Sequence, residues 1–268
     1  MNVAFCFSGQ PRYFNHVFPS FKKHILRPLS GHNFYFFAHY PLVCPKTNLP
    51  KFFTDSICED ESNVSFDFHR LQGINHLVES RPWNRLDPLS AYLMQLRSIY
   101  LSYNLCRQYS FSNHISFDWV FRARFDNLYV SSIEPLDSLD PLSLYVPAHD
   151  SWNGYNDRFA FSGMSIMNTY ASRFVCLSSI LTGDQALHPE TSLKSFLSDA
   201  SVPVRYTRVV HHLLRHGELW KARFNSDEGD SVDYSPSQPG MKWRFQIKKY
   251  FGDIIYNKLS LAWWRLGI

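Results

Sequence analysis

The segment Arg122-Ala-Arg124-Phe-Asp126-Asn127 places two cations and a carboxylate at alternate positions at the end of an apolar run. Alternate residues of a strand share a face, and three charges do not face an apolar core unpaired, so Arg122, Arg124 and Asp126 must act together. At a strand end the set suits a divalent cation on Asp126, with diphosphate oxygens held by the arginines. The same residues can equally form an Arg–Asp structural pair at a sheet edge. Ser8-Gly9-Gln10-Pro11-Arg12 is a second cluster of this kind. Gly9 lets backbone approach a ligand, and the planar fork of Arg12 matches a phosphate. An ordinary strand-to-helix turn reads the same way. Neither a G-x-G-x-x-G nor a Walker lysine is present.

Two further clusters supply proton-transfer and stacking groups. His149-Asp150-Ser-Trp152-Asn153-Gly-Tyr155-Asn156-Asp157-Arg158 packs acids, amides and aromatics into a short polar stretch. Trp152 and Tyr155 can stack on a sugar or base, with Asn156 beside them as an acceptor contact. Asp157 or Asp150 can take a proton from an acceptor hydroxyl. Asn, Gly and Asp are also the residues of turns. In Asp184-Gln-Ala-Leu-His188-Pro189-Glu190, His-Pro-Glu fits a helix start, with Pro189 at the first helical position and Glu190 at the positive end of the dipole. There His188 can ligate a metal or a phosphate, and Glu190 can act as a second catalytic carboxylate. His211, His212 and His216 lie on an apolar run without an acidic partner at ligand spacing, which reads as packing or surface.

The elements that must carry these clusters alternate between strand and helix. Val3–Phe7 is a short buried strand, His32–Ala38 an aromatic second strand and Val64–His69 an alternating third, with 40–62 irregular between them. A helix is expected near 15–28. Asp87-Pro88 is a helix start, and Leu89, Leu93, Leu96, Ile99 and Tyr103 recur at helical spacing through about residue 110. Phe117–Asp126, Ser143–Val146 and Pro203–Val210 read as strands, and 164–180 and 189–200 as helices. This order predicts an α/β sheet covered on both faces, within a single domain over 1–224. Ligands of such sheets bind beyond the carboxyl ends of the strands, where the four clusters fall.

Composition bounds the rest. The chain has 268 residues, 45% hydrophobic and 19% charged, too apolar for disorder. No run reaches the roughly 18 apolar residues of a membrane span, and the first residues lack the basic and apolar regions of a secretory signal, so a cytoplasmic protein is expected. Five scattered cysteines without a C-x-x-C pair suggest neither a disulfide framework nor a zinc ribbon. The sequon Asn63-Val64-Ser65 carries little weight.

The run from Val3 through Ser8-Gly9-Gln10-Pro11-Arg12, then Gln95-Leu-Arg-Ser-Ile-Tyr100, Asp118-Trp-Val-Phe-Arg-Ala-Arg-Phe-Asp126, Asn156-Asp157-Arg-Phe-Ala-Phe-Ser-Gly163 and His188-Pro-Glu190, resembles bacterial surface-polysaccharide glycosyltransferases of the GT-A fold, of capsule or lipopolysaccharide type, over roughly 1–200. The resemblance implies a GT-A-like, Rossmann-related mixed sheet flanked by helices. It also implies a nucleotide-sugar donor and a glycan or glycolipid acceptor. Ser8, Gly9, Gln10, Arg12, Arg122, Arg124 and Asp126 are the implied donor-binding residues, and Asp157, with the flanking Asn156, is the preferred base. The family's Asp-x-Asp metal motif falls on Asp126, with Mn²⁺ or Mg²⁺ as the expected ion and His188 as a further ligand. Arg124 stands where the first acid of that motif is expected, and can itself neutralise phosphates.

The net charge of +4 is concentrated at the end of the chain. Residues 225–240 are polar and rich in Pro and Gly, a linker. Residues 241–268 carry Lys242, Arg244, Lys248, Lys249, Lys258 and Arg265 against Asp253 alone. Trp243, Ile247, Tyr250, Ile254 and Leu261 follow helical spacing there, which predicts an amphipathic basic helix on the inner, anionic face of a membrane. A helix docked on the protein's own core fits the same pattern. Positive charge confined to a tail is not a nucleic-acid reading surface. Two rival functions fit the sequence: a sulfotransferase or other nucleotide-dependent transferase, and a non-catalytic membrane-surface or glycan-binding protein.

Overall fold

Asn2–Ser8 forms the central strand β1, and residues Val3 to Ser8 are all buried, as expected of a parallel strand covered on both faces. Its alternation sorts the core into two layers. Val3, Phe5 and Phe7 join the layer that holds Phe14, Val17, Phe21 and Ile25, whereas Ala4 and Cys6 join the layer of Ile99, Tyr103 and Cys106. The computed structural model describes residues 1–11, 13–41, 52–59, 88–177, 188–215 and 218–220, all within the compact unit Met1–Asn225.

The first layer is largely aromatic. Phe5 alone has Phe121 at 4.8 Å, Phe21 at 5.2 Å and Phe36 at 5.4 Å between ring centroids. These edge-on, tilted and stacked contacts employ much of the unusual phenylalanine content. Helix α1, Phe14–Phe21, supplies the covering face and runs into a π-helical turn, Lys22–Leu26, in which the Arg27 amide donates to the Lys22 carbonyl at 2.9 Å.

β1 pairs in parallel with β2 (Asn33–Pro41) on one side and β4 (Trp119–Arg124) on the other, and β2 pairs in parallel with β3 (Asp55–Glu59). β3 falls in a stretch read from sequence as irregular. As an edge strand with residues 55–58 exposed it shows no apolar alternation to reveal it. The strand expected at 64–69 lies outside the described residues, as do Arg12, the expected helix-start residue Asp87 and everything beyond 220.

Helix α2, Pro88–Asn113, covers the second layer and matches its expected start. After β4 the chain makes β5 (Asn127–Tyr129), β6 (Leu144–Pro147), β7 (Ala160–Ser162), helix α3 (Met164–Ala171) with a 3₁₀ turn Ser172–Phe174, helix α4 (Pro189–Asp199) and β8 (Val204–Thr207). The result is a mixed seven-stranded sheet in the order β3-β2-β1-β4-β7-β6-β8, with β7 antiparallel to both its neighbours. β9 (His211–Arg215) and β10 (Glu218–Trp220) form a second, three-stranded sheet with β5. The fold is thus α/β, a mixed sheet flanked by helices. Among the described residues no helix is long and apolar enough to cross a membrane.

Candidate functional site at the strand ends

The strand register sets Ser8 between His39 on β2 and Arg124 on β4, so the parallel strands finish on one edge. Gly9 turns the chain there with φ of 101°, a left-handed conformation that suits glycine, and a Cβ at this position would meet open space. Its amide donates to Ser98 Oγ on α2 at 3.2 Å, and Ser98 in turn donates to the His39 carbonyl at 3.1 Å. His39 bridges Ser98 Oγ (2.9 Å) and Glu59 (3.3 Å), and Arg97 holds Glu59 with two hydrogen bonds, one of 2.8 Å. The Arg97 guanidinium keeps the Glu59 carboxyl below the usual range. One helical turn of α2 therefore ties together the ends of β1, β2 and β3.

At the exit of β4, Arg122 and Arg124 occupy alternate positions and so face the α2 side, as Val120 does. Arg124 closes on Asp126 through Nε and Nη2, both at 2.7 Å, a bidentate pair. Arg122 is 2% exposed and donates to the Arg158 carbonyl, which Asn127 also reaches at 3.1 Å. Burial pulls the Arg122 guanidinium below its ordinary range.

That carbonyl belongs to the polar loop 148–159, which is fastened at many points. Asn156, fully buried, donates to the His149 carbonyl at 2.6 Å and accepts from the Arg158 amide at 2.9 Å. The Arg158 side chain pairs with Asp150 at 2.7 Å. His149 faces Asp150 through Nδ1 at 3.2 Å and accepts the His211 amide at Nε2, 3.3 Å, while burial keeps the ring neutral. Three left-handed residues within four positions accompany this: Asp150, Trp152 and Asn153 have φ of 52°, 48° and 63°. Such conformations persist where the surroundings over-determine them, and they cluster at functional sites. The loop leaves Trp152 40% exposed, its ring 6.5 Å from that of His188.

The loop also packs on the start of α4. A Cβ on Gly154 would lie 2.0 Å from the Glu190 carbonyl oxygen, and the Tyr155 amide donates to that oxygen at 3.0 Å. His188 is the N-cap of α4 with Pro189 at its start, as the sequence led one to expect, and His188 Nδ1 lies 3.1 Å from Glu190. Glu190 and Asp157 are 5% and 3% exposed.

Their environments drive these two carboxyls apart. Burial and then the Asp157 charge push Glu190 up to about 8. Burial acts on Asp157 in the same direction, but Arg122, Arg158, Arg124 and Arg173 outweigh it and hold its carboxyl below the usual range. Gln95 of α2 donates to Asp157 Oδ2, and Tyr170 donates to its carbonyl at 3.3 Å. At neutral pH the pair is one fixed anion and one carboxyl group that titrates near physiological pH, a separation typical of paired acid and base roles.

Of the residues singled out from sequence, Ser8, Gly9, Arg122, Arg124, Asp126, Asp157, His188 and Glu190 all fall at the strand ends or on the elements packed there. Gln10 and Tyr155 are half-buried, Trp152 is open to solvent and Asn156 points inward as a loop anchor. His211 packs its ring 4.5 Å from that of His149. Sequence reasoning gave no role to Ser98, His39 or Arg173. Ser98 and Gln95 lie in the motif Gln95–Tyr100, while nothing in the sequence around Arg173 distinguishes it from a surface arginine. Asp126 does not fit the role of metal ligand well, because both of its oxygens accept from Arg124. Among the described residues no group of three or more His, Cys, Asp or Glu converges on a shared point.

Comparison with protein families matches residues 76–218 to a domain of unknown function, DUF7796. No curated protein matches the chain.

Proposed function

The chain belongs to the DUF7796 family; from the arrangement of its strand-end residues we propose that it is a glycosyltransferase, moving a sugar from a nucleotide-sugar donor to a hydroxyl of a glycan or glycolipid in surface-polysaccharide synthesis. The observation that carries the reading is the buried pair Asp157 and Glu190, titrating in opposite directions beside Arg122, Arg124 and Arg158. The parallel order β3-β2-β1-β4 followed by an antiparallel β7 is compatible with a GT-A architecture. Gly9, with open space over its Cα and its amide anchored by Ser98, suits close approach of a donor to the backbone.

In this mechanism the acceptor hydroxyl gives its proton to ionised Glu190. Its oxygen attacks the anomeric carbon, and the bond from that carbon to the donor phosphate oxygen breaks with its electron pair. The nucleoside diphosphate then leaves into the field of the guanidinium groups, which stabilise the developing charge without reorganising. Glu190 suits the base role better than Asp157, because a carboxyl near 8 retains basicity that a carboxylate held down by four arginines has lost. Asp157 keeps a fixed negative charge beside the sugar ring, where positive charge develops. Trp152, exposed at the loop tip, offers a stacking face to the acceptor. A divalent cation at Asp126 would add charge at the leaving diphosphate only after displacing Arg124.

The test is a thermal-shift screen of the full chain against UDP, GDP and CMP, followed by nucleotide release from the matching sugar donors. Stabilisation by one nucleotide and release accelerated by a glycan acceptor is the expected result. If no nucleotide stabilises the protein, the transferase reading falls and the non-catalytic glycan-binding rival gains.

A further inference from the structure

Arg173 enters the mechanism above only through its charge near Asp157, yet it is among the most deeply buried side chains, 1% exposed in the turn that follows α3. Its guanidinium lies over the Tyr170 ring, 4.3 Å from the centroid, and its Nε donates to the Tyr170 carbonyl at 3.0 Å. Among the described residues its Nη1 and Nη2 have no hydrogen-bond partner, and neither does Nε of Arg122. Buried guanidinium nitrogens without acceptors are rare, because each forfeits its hydration and receives nothing in exchange.

The ion pairs sharpen the point. Asp126 is taken by Arg124 and Asp150 by Arg158. Glu190, pushed up to about 8, is not a fixed anion at neutral pH. Among the described residues Asp157 is thus the one fixed anion left beside Arg122 and Arg173 together, and Gln95 already occupies one of its oxygens. Among the described residues two buried cations share a single anion, and their unpartnered donors come from two different elements, β4 and the turn after α3.

We infer that Arg122 and Arg173 form an oxyanion site beside Asp157 that takes a phosphoryl group of the substrate. A tetrahedral oxyanion offers acceptor oxygens in several directions, matching donors from two guanidinium groups better than a planar carboxylate does. Its negative charge also completes the local balance. The inference deepens the proposed function by adding Arg173 to the donor-binding set. It rests on that reading only for the identity of the molecule that carries the phosphate.

The test uses the full chain and inorganic pyrophosphate, with acetate and sodium chloride at equal ionic strength as controls. Pyrophosphate should raise the melting temperature of the wild type where acetate and chloride do not. Arg173→Met should abolish that rise. Arg173→Lys, which keeps the charge but not the fork, should weaken pyrophosphate at least tenfold by titration calorimetry, and it serves if the Met variant does not fold. A wild type shifted equally by all three salts, or Arg173 variants that respond as the wild type does, would overturn the inference. Competition between UDP or GDP and pyrophosphate assigns the phosphate to the donor, and additive shifts assign it to a phosphorylated acceptor. Pyrophosphate binding in a protein that transfers no sugar leaves the oxyanion site standing and removes only the transferase reading.

Discussion

Glu190 is where the chemistry of single residues is most exposed to test. Its folded carboxyl, near 8, lies above the ordinary value of 4.5. Between those two values the unfolded chain is ionised at this position while the folded chain holds a proton, so the contribution of Glu190 to stability is fully present below about pH 4.5 and is lost as pH rises through about 8. Glu190→Gln should therefore flatten the melting temperature between pH 6 and pH 9, and melt several degrees above wild type at the alkaline end. The same variant should lose transfer by roughly 10²- to 10⁴-fold, the usual worth of a general base, while nucleotide still binds. Wild-type transfer should climb with pH through an apparent value near 8 that belongs to the coupled pair with Asp157. A wild-type profile flat from pH 6 to 9 would remove Glu190 from the proton transfer. Asp126 gives a second measurement at this scale. With both its oxygens held by Arg124, EDTA should leave transfer within about twofold, since in the proposed mechanism guanidinium groups supply the leaving-group charge. A tenfold or greater loss in EDTA, restored by Mn²⁺, would return the metal to Asp126 and require Arg124 to swing away.

Between elements, the decisive contact is that of the loop 148–159 with the first turn of α4. Gly154 touches the α4 backbone so closely that a methyl group would lie 2.0 Å from the Glu190 carbonyl oxygen and 2.4 Å from the Thr191 nitrogen. Backbone cannot yield as a side chain can, so Gly154→Ala should push the loop off α4. The expected readouts are a melting temperature lower by several degrees and a loss of transfer larger than the loss of nucleotide binding, because Glu190 moves while Gly9 and Arg124 do not. Equal transfer by wild type and variant would show that the loop and α4 need not touch. Elements with strong local signals were legible in the sequence: β1 from an unbroken apolar run, α2 from Pro88 and its leucine spacing, α4 from His188-Pro189-Glu190. Those that depend on distant partners were not. β3 has residues 55–58 exposed, and β7 and β9 are short strands defined by antiparallel neighbours far along the chain. The same division holds within the site. Arg122, Asp157 and Glu190 stand next to turn and strand-end signals, whereas Arg173 and Ser98 are placed only by how α2 and α3 pack on the sheet. Opposite titration of two acids is likewise a property of packing that no local spacing encodes.

At the scale of the whole molecule, two kinds of sequence are joined: an aromatic α/β unit whose described helices include none able to cross a membrane, and a terminal segment, 241–268, with six cations against a single acid. The described strand-end residues of the first unit, Ser8, His39 and Arg124 among them, gather at one edge of its sheet. A transferase acting on a lipid-linked acceptor gains from being held at the surface where that acceptor lies, since tethering raises the effective concentration of one for the other. The terminal segment has the composition for it. Each Lys or Arg near an anionic bilayer contributes on the order of 1 kcal/mol, and that attraction weakens with salt, while Trp243, Tyr250, Phe251, Trp263 and Trp264 favour the interface. The full chain should therefore sediment with vesicles containing phosphatidylglycerol at low salt and release as salt rises. Replacing Lys248 and Lys249 by Glu in the full chain should weaken that binding by about tenfold or more, because two attractive charges become repulsive. Truncation after Pro239 should abolish it while leaving pyrophosphate and nucleotide binding unchanged. Vesicle binding that survives both changes would locate the membrane contact on the α/β unit, and a truncated chain that no longer melts cooperatively would show that 241–268 completes the core instead.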